Sequence, residues 1–432
     1  MTIANAAFLL LGLIAGVLAL IGVLDAVKGT PVRRVVAFGG GDLPSVRDDA
    51  FQPSMELACR TQLFAGNRVE FFRNGDETFP RLWQDLKDAR QSITLQMYYC
   101  KDGEMANMLA GILSERSRAG VDVLFLYDAW GSSWKESYVQ RLRDAGVRIH
   151  KFRPLNLLQL NIINHRAHAR VVCVDGTIGW TGGFGIDDKW FGGGRAHNEW
   201  RDSNVRFTGP AVSQLQSAFT SCWAETTGEL LVGERLYPVN DENTGAQDGP
   251  LLAGLLQGSP SVGSTEAERF FALSIASAKE RLYITNSYFV PDRDFRKMIC
   301  AAALRGVDVR ILTVSDRTDV KSTWYAGRAR YEQLLGAGVR VFEYQPTMMH
   351  AKTLVVDGHW CAVGSMNADN RSLSFNEETV LLMLDDTAAS TLDRHFHDDQ
   401  EHSNEILLSE FRRRGVGERV KELACYAMWR VL

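Results

Sequence analysis

The 432-residue chain has no CxxC pair and no histidines and cysteines at metal-ligand spacing; its seven cysteines are scattered. An odd, unpatterned set excludes a disulfide framework and a zinc site, so reduced thiols are expected. An excess of either charge is also missing, since 48 basic residues against 52 acidic ones leave a net charge of −4. A general nucleic-acid binder carries a basic field, so that class is disfavoured, although a local basic cleft stays open. In one place charge is absent altogether: Ala6–Leu24 runs for 19 residues without a charged side chain. As a helix this run would span about 28 Å, enough for a bilayer core. A cleaved signal peptide would need basic residues ahead of the run and an A-x-A site behind it, and neither is clear. A core helix apolar on every side would need complete burial. The preferred reading is a single membrane anchor at residues 1–30. Lys28, Arg33 and Arg34 follow the run, and the positive-inside rule then places the body in the cytoplasm at the cell membrane.

Apolar residues at 45% and charged residues at 23% fit an ordinary globular protein beyond that run. Its organisation follows from one stretch, HAKTLVVDGHWCAVGSMN, His350–Asn367. TLVV reads as a strand, Asp357-Gly358 as a hairpin turn, and HWCAV as the returning strand. His350 and Lys352, two apart, share one side, and the return brings Gly364, Ser365 and Asn367 beside them. An imidazole, an ammonium and small polar donors together suit an anionic oxygen. A solvated surface hairpin is the competing reading, and repetition argues against it. HARVVCVDGTIGWTGGFG, His168–Gly185, has the same layout, with His168, Ala169, Val174, Asp175, Gly176 and Gly182 in register. Further pairs extend the duplication: SRAGVDVLFLYDAWGS with ALRGVDVRILTVSDRT, DAGVRIHKFRP with GAGVRVFEYQP, and SITLQMYY with RLYITNSYF. The chain is two related halves.

Strands alternating with helices predict an α/β fold of two tandem homologous repeats, each a mixed, mostly parallel sheet flanked by helices. The expected boundaries are a juxtamembrane connector at 31–54, a first repeat at 55–238, a linker at 239–264 and a second repeat at 265–432. The linker rests on Gly, Pro, Asn and Ser content. Residues 155–163 hold Leu155, Leu157, Leu158, Leu160, Ile162 and Ile163 with no counterpart in the second half. They read equally as a lipid-facing lip or as a loop packing its own core. In the tail, Val420, Leu423, Ala424, Ala427, Met428 and Val431 share one helical face, with Arg419, Lys421 and Arg430 off it. A helix docked on its own domain is preferred to one lying on a membrane.

The doubled H-x-K-x4-D-x6-G-[GS]-x-N pattern resembles the signature of the phospholipase D superfamily, and within it the chain is similar to bacterial cardiolipin synthases. Asn164-His165-Arg166-Ala167-His168, Gly182–Asp188, Trp200-Arg201-Asp202, Gly209–Val212, Tyr288–Asp292, Arg371-Ser372 and Asn376-Glu377-Glu378 fit as well. Two positions depart: Arg170 stands where lysine is usual, and Gly185 where asparagine is usual. The resemblance implies an active site at a pseudo-twofold interface, built from His168, Arg170, Asp175, His350, Lys352 and Asp357. One imidazole, usually that of the first half, forms a phosphohistidine; the other is acid and then base. Arg170 and Lys352 would stabilise the phosphate oxygens with Ser365, Asn367 and Gly183, so neither a metal nor another cofactor is expected.

The implied activity is a phosphatidyltransferase joining two phosphatidylglycerols into cardiolipin and releasing glycerol. Its partners would be phospholipids of the bacterial inner membrane, with no nucleic acid. A hydrolase of phospholipids is the alternative, followed by a nuclease and an inactive lipid-binding scaffold.

The histidines need orienting carboxylates. Asp175 and Asp357 belong to the motif, but each sits seven residues from its histidine, at odd parity and in a turn, which favours a structural role. Asp202 and Glu378 occupy equivalent places in the two halves and are the better candidates, against the reading of ordinary strand-end acids.

Overall fold

The apolar run after Gln91 forms the strand Ser92–Met97, every residue of it buried, and its counterpart in the second half is Arg281–Asn286. These lie inside a sheet that crosses the whole molecule. The computed structural model describes residues 30–154, 165–238, 251–260 and 263–429, together with residues 5, 12 and 16. The apolar run Ala6–Leu24 of the expected anchor falls outside these residues apart from Gly12 and Gly16, and the Leu-rich stretch 155–163 falls wholly outside them. Among the described residues no helix is long and apolar enough to cross a membrane.

Each half lays seven strands in the same spatial order. The first runs Arg148–Phe152, Asp122–Asp128, Ser92–Met97, Val171–Val174, Ile178–Gly182, Ser203–Thr208, Phe64–Arg73. The second runs Arg340–Tyr344, Asp308–Val314, Arg281–Asn286, Lys352–Val356, Trp360–Gly364, Asn376–Leu384, Leu251–Gly258. The last strand of each series meets the other at an antiparallel seam, Phe64 opposite Ala253 and Asn67 opposite Leu251. The duplication read from the motifs is therefore a duplication of the sheet.

Three expectations change. The sheet is mixed, but four of the six pairings in each half are antiparallel, not most of them parallel. Helical crossovers make the outer strands parallel; each motif hairpin returns through a tight turn, which only an antiparallel pair allows, and the strand after it also pairs antiparallel, after a longer connection. Next, residues 251–258 are not linker: they form a strand pairing along its length with Asn376–Leu384. Finally, the helix Phe51–Cys59 straddles the expected boundary at 54/55. Its Phe51, Met55 and Cys59 join a core made largely of second-half residues, including Phe270, Trp360 and Leu382.

Helices cover both faces of the sheet. Ala211–Thr227, bounded by Pro210 and by Gly228 at a left-handed φ of 77°, buries Val212, Leu215, Phe219 and Trp223. That core continues into Val355, Val363 and Leu381 of the other half. The seven cysteines are unpaired. The tail helix, Val416–Trp429, packs on the helix Lys321–Arg328. Glu422 pairs with Arg328 of that helix; Glu422, Cys425 and Tyr426 are the buried or half-buried positions, while Val420, Leu423, Ala424, Ala427 and Met428 are exposed. The helix is docked, as preferred from sequence, but with its apolar face outward.

Candidate active site

Both motif hairpins turn as their Asp-Gly pairs require. Asp175 and Gly176 have φ of 52° and 63°; Asp357 and Gly358 have 50° and 63°. Two consecutive left-handed residues make the tight turn that matches strand twist. The aspartates hold the hairpins to neighbouring strands. Asp175 accepts from the backbone N–H groups of Arg90, Gln91 and Ser92. Asp357 accepts from those of Lys279, Glu280 and Arg281. Neither carboxylate bonds a histidine, and neither caps its own turn: each fastens the hairpin to the start of the adjacent strand. Their placing in a catalytic set is corrected accordingly.

At the opposite ends of the hairpins lie the histidines. Nδ1 of His168 is 2.9 and 3.0 Å from the two carboxylate oxygens of Glu378. Nδ1 of His350 is 3.0 Å from Oδ2 of Asp202. Each histidine thus takes its carboxylate from the other half. Backbone stitching sets this exchange: Arg201 runs beside Met349 and its carbonyl accepts from His350 N–H at 2.7 Å. Correspondingly, Glu377 runs beside Ala167. In both cases the residue before the carboxylate lies against the residue before the opposite histidine. A carboxylate accepting at Nδ1 fixes the Nδ1–H tautomer, which leaves the Nε2 lone pair of His168 for chemistry and turns that of His350 toward Lys352 Nζ.

The cations flank these pairs. Lys352 Nζ lies 3.0 Å from both ring nitrogens of His350 and also donates to the His350 carbonyl, which confirms that the two side chains share a side. Arg170 does the same in the first half, donating to the His168 carbonyl and, through Nε, to Phe184 O at 3.2 Å. The wall is aromatic. Tyr98 meets His168 edge-on at 4.8 Å, while Trp190 and Trp200 meet His350 at 5.4 and 5.0 Å. His168, His350, Arg170 and Asn367 line one cavity of about 510 Å³ with Tyr98, Tyr99, Trp130, Trp190, Trp200, Tyr288 and Arg371.

Ser365 and Gly183 are placed differently from expectation. Ser365 donates to Glu378 and accepts from Thr379 N–H. The amide of Gly183 donates to Asn204, and a Cβ there would come within 2.2 Å of the Asp202 carboxylate. Ser365 holds the Glu378 carboxylate and Gly183 leaves room for that of Asp202; neither forms the cavity wall. Asn367 does line the cavity, and its Oδ1 is buried with no hydrogen-bond partner.

Trp190 was not legible in the sequence. Its indole donates to Asp202 at 2.8 Å, and its ring occupies the space above Gly185, where a Cβ would lie 2.9 Å from both the ring and the Tyr99 carbonyl. The missing asparagine of the first motif is therefore replaced by a tryptophan. The repeated tyrosines Tyr99 and Tyr288, aligned in SITLQMYY and RLYITNSYF, were a signal that could have been read.

The electrostatics differ between the pairs. Burial drives His350 down to about 3, helped by Lys352 and opposed by Asp202. Burial also holds His168 well below its ordinary value, with Arg170 and Lys352 adding to the effect. Burial lowers Lys352 to about 7 and raises Glu378 to about 7, against its hydrogen bonds from Ser365 and Asn376. Asp202 is the exception: burial alone would raise it, but His350 and Lys352 hold it below its ordinary value. The site is a cavity with two oriented imidazoles and the cations Lys101, Arg170 and Arg371 on a wall that also carries Asp319 and Asp369, which suits an anionic phosphoryl group.

Comparison with known proteins gives the fold and the family. Phosphatidylserine synthase of Haemophilus influenzae superposes with a TM-score of 0.66 over 89% of this chain and 100% of that one, at 13% identity. Polyphosphate kinase of Porphyromonas gingivalis gives 0.54 over 79% and 49%, at 12% identity. These likenesses define the fold class. The model of the cardiolipin synthase, PLD-like domain matches residues 82–223 and 273–400. Cardiolipin synthase of Halalkalibacterium halodurans is 36% identical over 371 residues, 84% of this chain and 73% of that protein. Cardiolipin synthase A of Pseudomonas fluorescens is 36% identical over 83% of this chain and 74% of its own length. The chain belongs to the cardiolipin synthase family of phospholipase D-like phosphatidyltransferases.

Proposed function

We propose that the protein joins two phosphatidylglycerol molecules into cardiolipin and releases glycerol, by way of a phosphohistidine. The observation that carries this reading is the exchange of carboxylates: two imidazoles from two halves, each held at Nδ1, open on one cavity.

In the first step Nε2 of His168 attacks phosphorus, the bond from phosphorus to the glycerol oxygen breaks, and His350 gives that oxygen a proton. In the second step the primary hydroxyl of another phosphatidylglycerol attacks phosphorus and passes its proton to His350. The P–N bond breaks, cardiolipin leaves, and both rings return to their starting states. His168 has the nucleophile's part by resemblance. The low pKa of His350 belongs to the empty site; an entering phosphodiester anion raises it toward the working range. Arg170, Lys352 and Asn367 are the groups for the phosphate oxygens. Asp202 and Glu378 orient the rings; Ser365 holds Glu378 in place, Trp190 holds Asp202, and Gly183 leaves the space that Asp202 fills. The substrate is anchored in a membrane, and we assign the apolar run Ala6–Leu24 to a single span with the body on the cytoplasmic side.

The test uses purified full-length protein and phosphatidylglycerol vesicles. Cardiolipin and glycerol should appear in equal amounts, and His168→Ala should reduce both by at least about 1000-fold. With short-chain labelled lipid, His350→Ala should still trap label on the protein while His168→Ala traps none. Phosphatidic acid as the sole lipid product would make the protein a hydrolase, and no covalent label in any variant would remove the phosphohistidine.

A further inference from the structure

The tail helix Val416–Trp429 is docked by its polar side. Glu422, almost fully buried, pairs with Arg414 at 3.0 Å and Arg328 at 3.5 Å. Tyr426 takes a hydrogen bond from Arg296 at 3.1 Å and lies under the guanidinium of Arg330 at 4.2 Å. What points away is an apolar arc: Val416, Val420, Leu423 and Met428 are 78%, 59%, 52% and 59% exposed, with Ala424 and Ala427 between them. At 100° per residue the arc has Arg419 along one edge and Lys421 along the other. Arg412 and Arg413, also exposed, precede the helix. A chain with net charge −4 thus collects cations around an uncovered apolar strip.

Two neighbours say what covers it. The connector that follows the apolar N-terminal run reaches the same region: Pro31 and Arg33 line one cavity with Tyr426 of this helix, and Val32 N–H and Arg33 contact Glu268 and Asp294. The helix beneath, Lys321–Arg328, begins next to Val320, and Val320 and Thr323 line the catalytic cavity. The arc therefore sits between the point where the N-terminal run joins the body and the mouth of the active site.

We propose that helix Val416–Trp429 lies on the surface of the anionic bilayer. Its apolar arc would sink into the headgroup boundary while Arg419 and Lys421 meet lipid phosphates, so that the cavity mouth faces the membrane. An apolar face bordered by cations is the pattern that binds such surfaces, through buried apolar area and attraction to anionic lipid together. The proposal deepens the functional reading by naming the surface on which the site works; the helix itself is judged without any turnover.

The first experiment places an environment-sensitive fluorophore on full-length protein at Val420→Cys or Met428→Cys in a Cys425→Ser background. Leu230→Cys, an exposed apolar position in the first half, is the control. With mixed phosphatidylglycerol and phosphatidylcholine vesicles, brominated acyl chains should quench Val420 and Met428 labels at least roughly twofold more than the Leu230 label, and more so at higher phosphatidylglycerol content. Equal quenching at all three positions overturns the proposal. So does shielding that appears without lipid and rises with protein concentration, because a second copy then covers the arc. The second experiment compares Val420→Ser/Leu423→Ser/Met428→Ser with the parent. Turnover of vesicle phosphatidylglycerol should fall by roughly fivefold or more, with turnover of short-chain, monomeric phosphatidylglycerol unchanged. Unchanged turnover on both substrates overturns the proposal. A parent inactive on both would sink the functional reading alone, and the quenching would still decide the helix.

Discussion

Burial brings the Lys352 ammonium from an ordinary 10.5 to about 7. The native protein gives up that proton before the unfolded chain does, so folding gains stability as pH rises from about 7 to 10.5 and bears the cost of the charge below that window. A buried charge held for function is a stability liability. Lys352→Met should therefore raise the melting temperature at pH 7, corresponding to roughly 0.5–2 kcal/mol, while cutting transfer by at least about 100-fold. Calorimetry beside a turnover assay reads both, and a variant that is both less stable and inactive would contradict the cause given. The same residue sets the alkaline limb of kcat/KM: above about pH 7 the empty site loses its ammonium. Glu378, raised to about 7, sets the acid limb, because below that pH its protonated carboxyl no longer fixes the Nδ1–H tautomer of His168. The profile should be a narrow bell near neutrality, and Lys352→Arg should lose the alkaline side. Sequence reading reached His168, His350, Lys352 and both orienting carboxylates because each is a chemical type at a repeated spacing. It missed Trp190 because a ring that fills a gap above Gly185 has no spacing rule.

For the elements, the two hairpins show what a local signal can and cannot say. The Asp-Gly pairs announce tight turns, and tight turns form. The donors to the Asp175 and Asp357 carboxylates lie 75 or more residues away in sequence, on Arg90–Ser92 and Lys279–Arg281, and no turn rule names them. Asp357→Ala should leave three backbone N–H groups without an acceptor and lower stability by about 1–3 kcal/mol. The folded fraction should keep turnover within about threefold of the parent. Denaturant unfolding with an activity assay on the soluble fraction checks this; a large loss of turnover at unchanged stability would restore a catalytic part to Asp357. The strand Leu251–Gly258 illustrates the opposite failure. Leu-Leu-Ala-Gly-Leu-Leu-Gln-Gly carries no β-branched residue and follows a run of turn formers, so its composition reads as linker. It becomes a strand through its long pairing with Asn376–Leu384, a tertiary partner that outweighs local propensity.

Across the whole molecule, the two lobes are tied by buried charge as well as by the sheet seam. Arg201 of the first half and Asp399 of the second form a two-pronged pair, Nε to Oδ1 at 2.8 Å and Nη2 to Oδ2 at 2.7 Å, with both side chains almost fully buried. Removing one partner should cost about 3–5 kcal/mol, because the other is left charged in the interior. Arg201→Met with Asp399→Leu together should recover most of that loss in urea unfolding. Because the Arg201 guanidinium also donates to the carbonyl of Asp202, the residue that holds His350, the double variant should still turn over more slowly than the parent. The duplication was legible because it is written in residues. Which lobe serves which was not, since equivalence between Asp202 and Glu378 is the same statement whether each acid attends its own histidine or the other one.

The exchange of acids between lobes makes the two copies hostages to one another. A mutation that silences the acid of one lobe disables the ring of its neighbour, so neither copy can decay into a passive half while the other carries on. Departures from the shared motif, such as Arg170 and Gly185, are tolerable only where they leave that reciprocal grip intact.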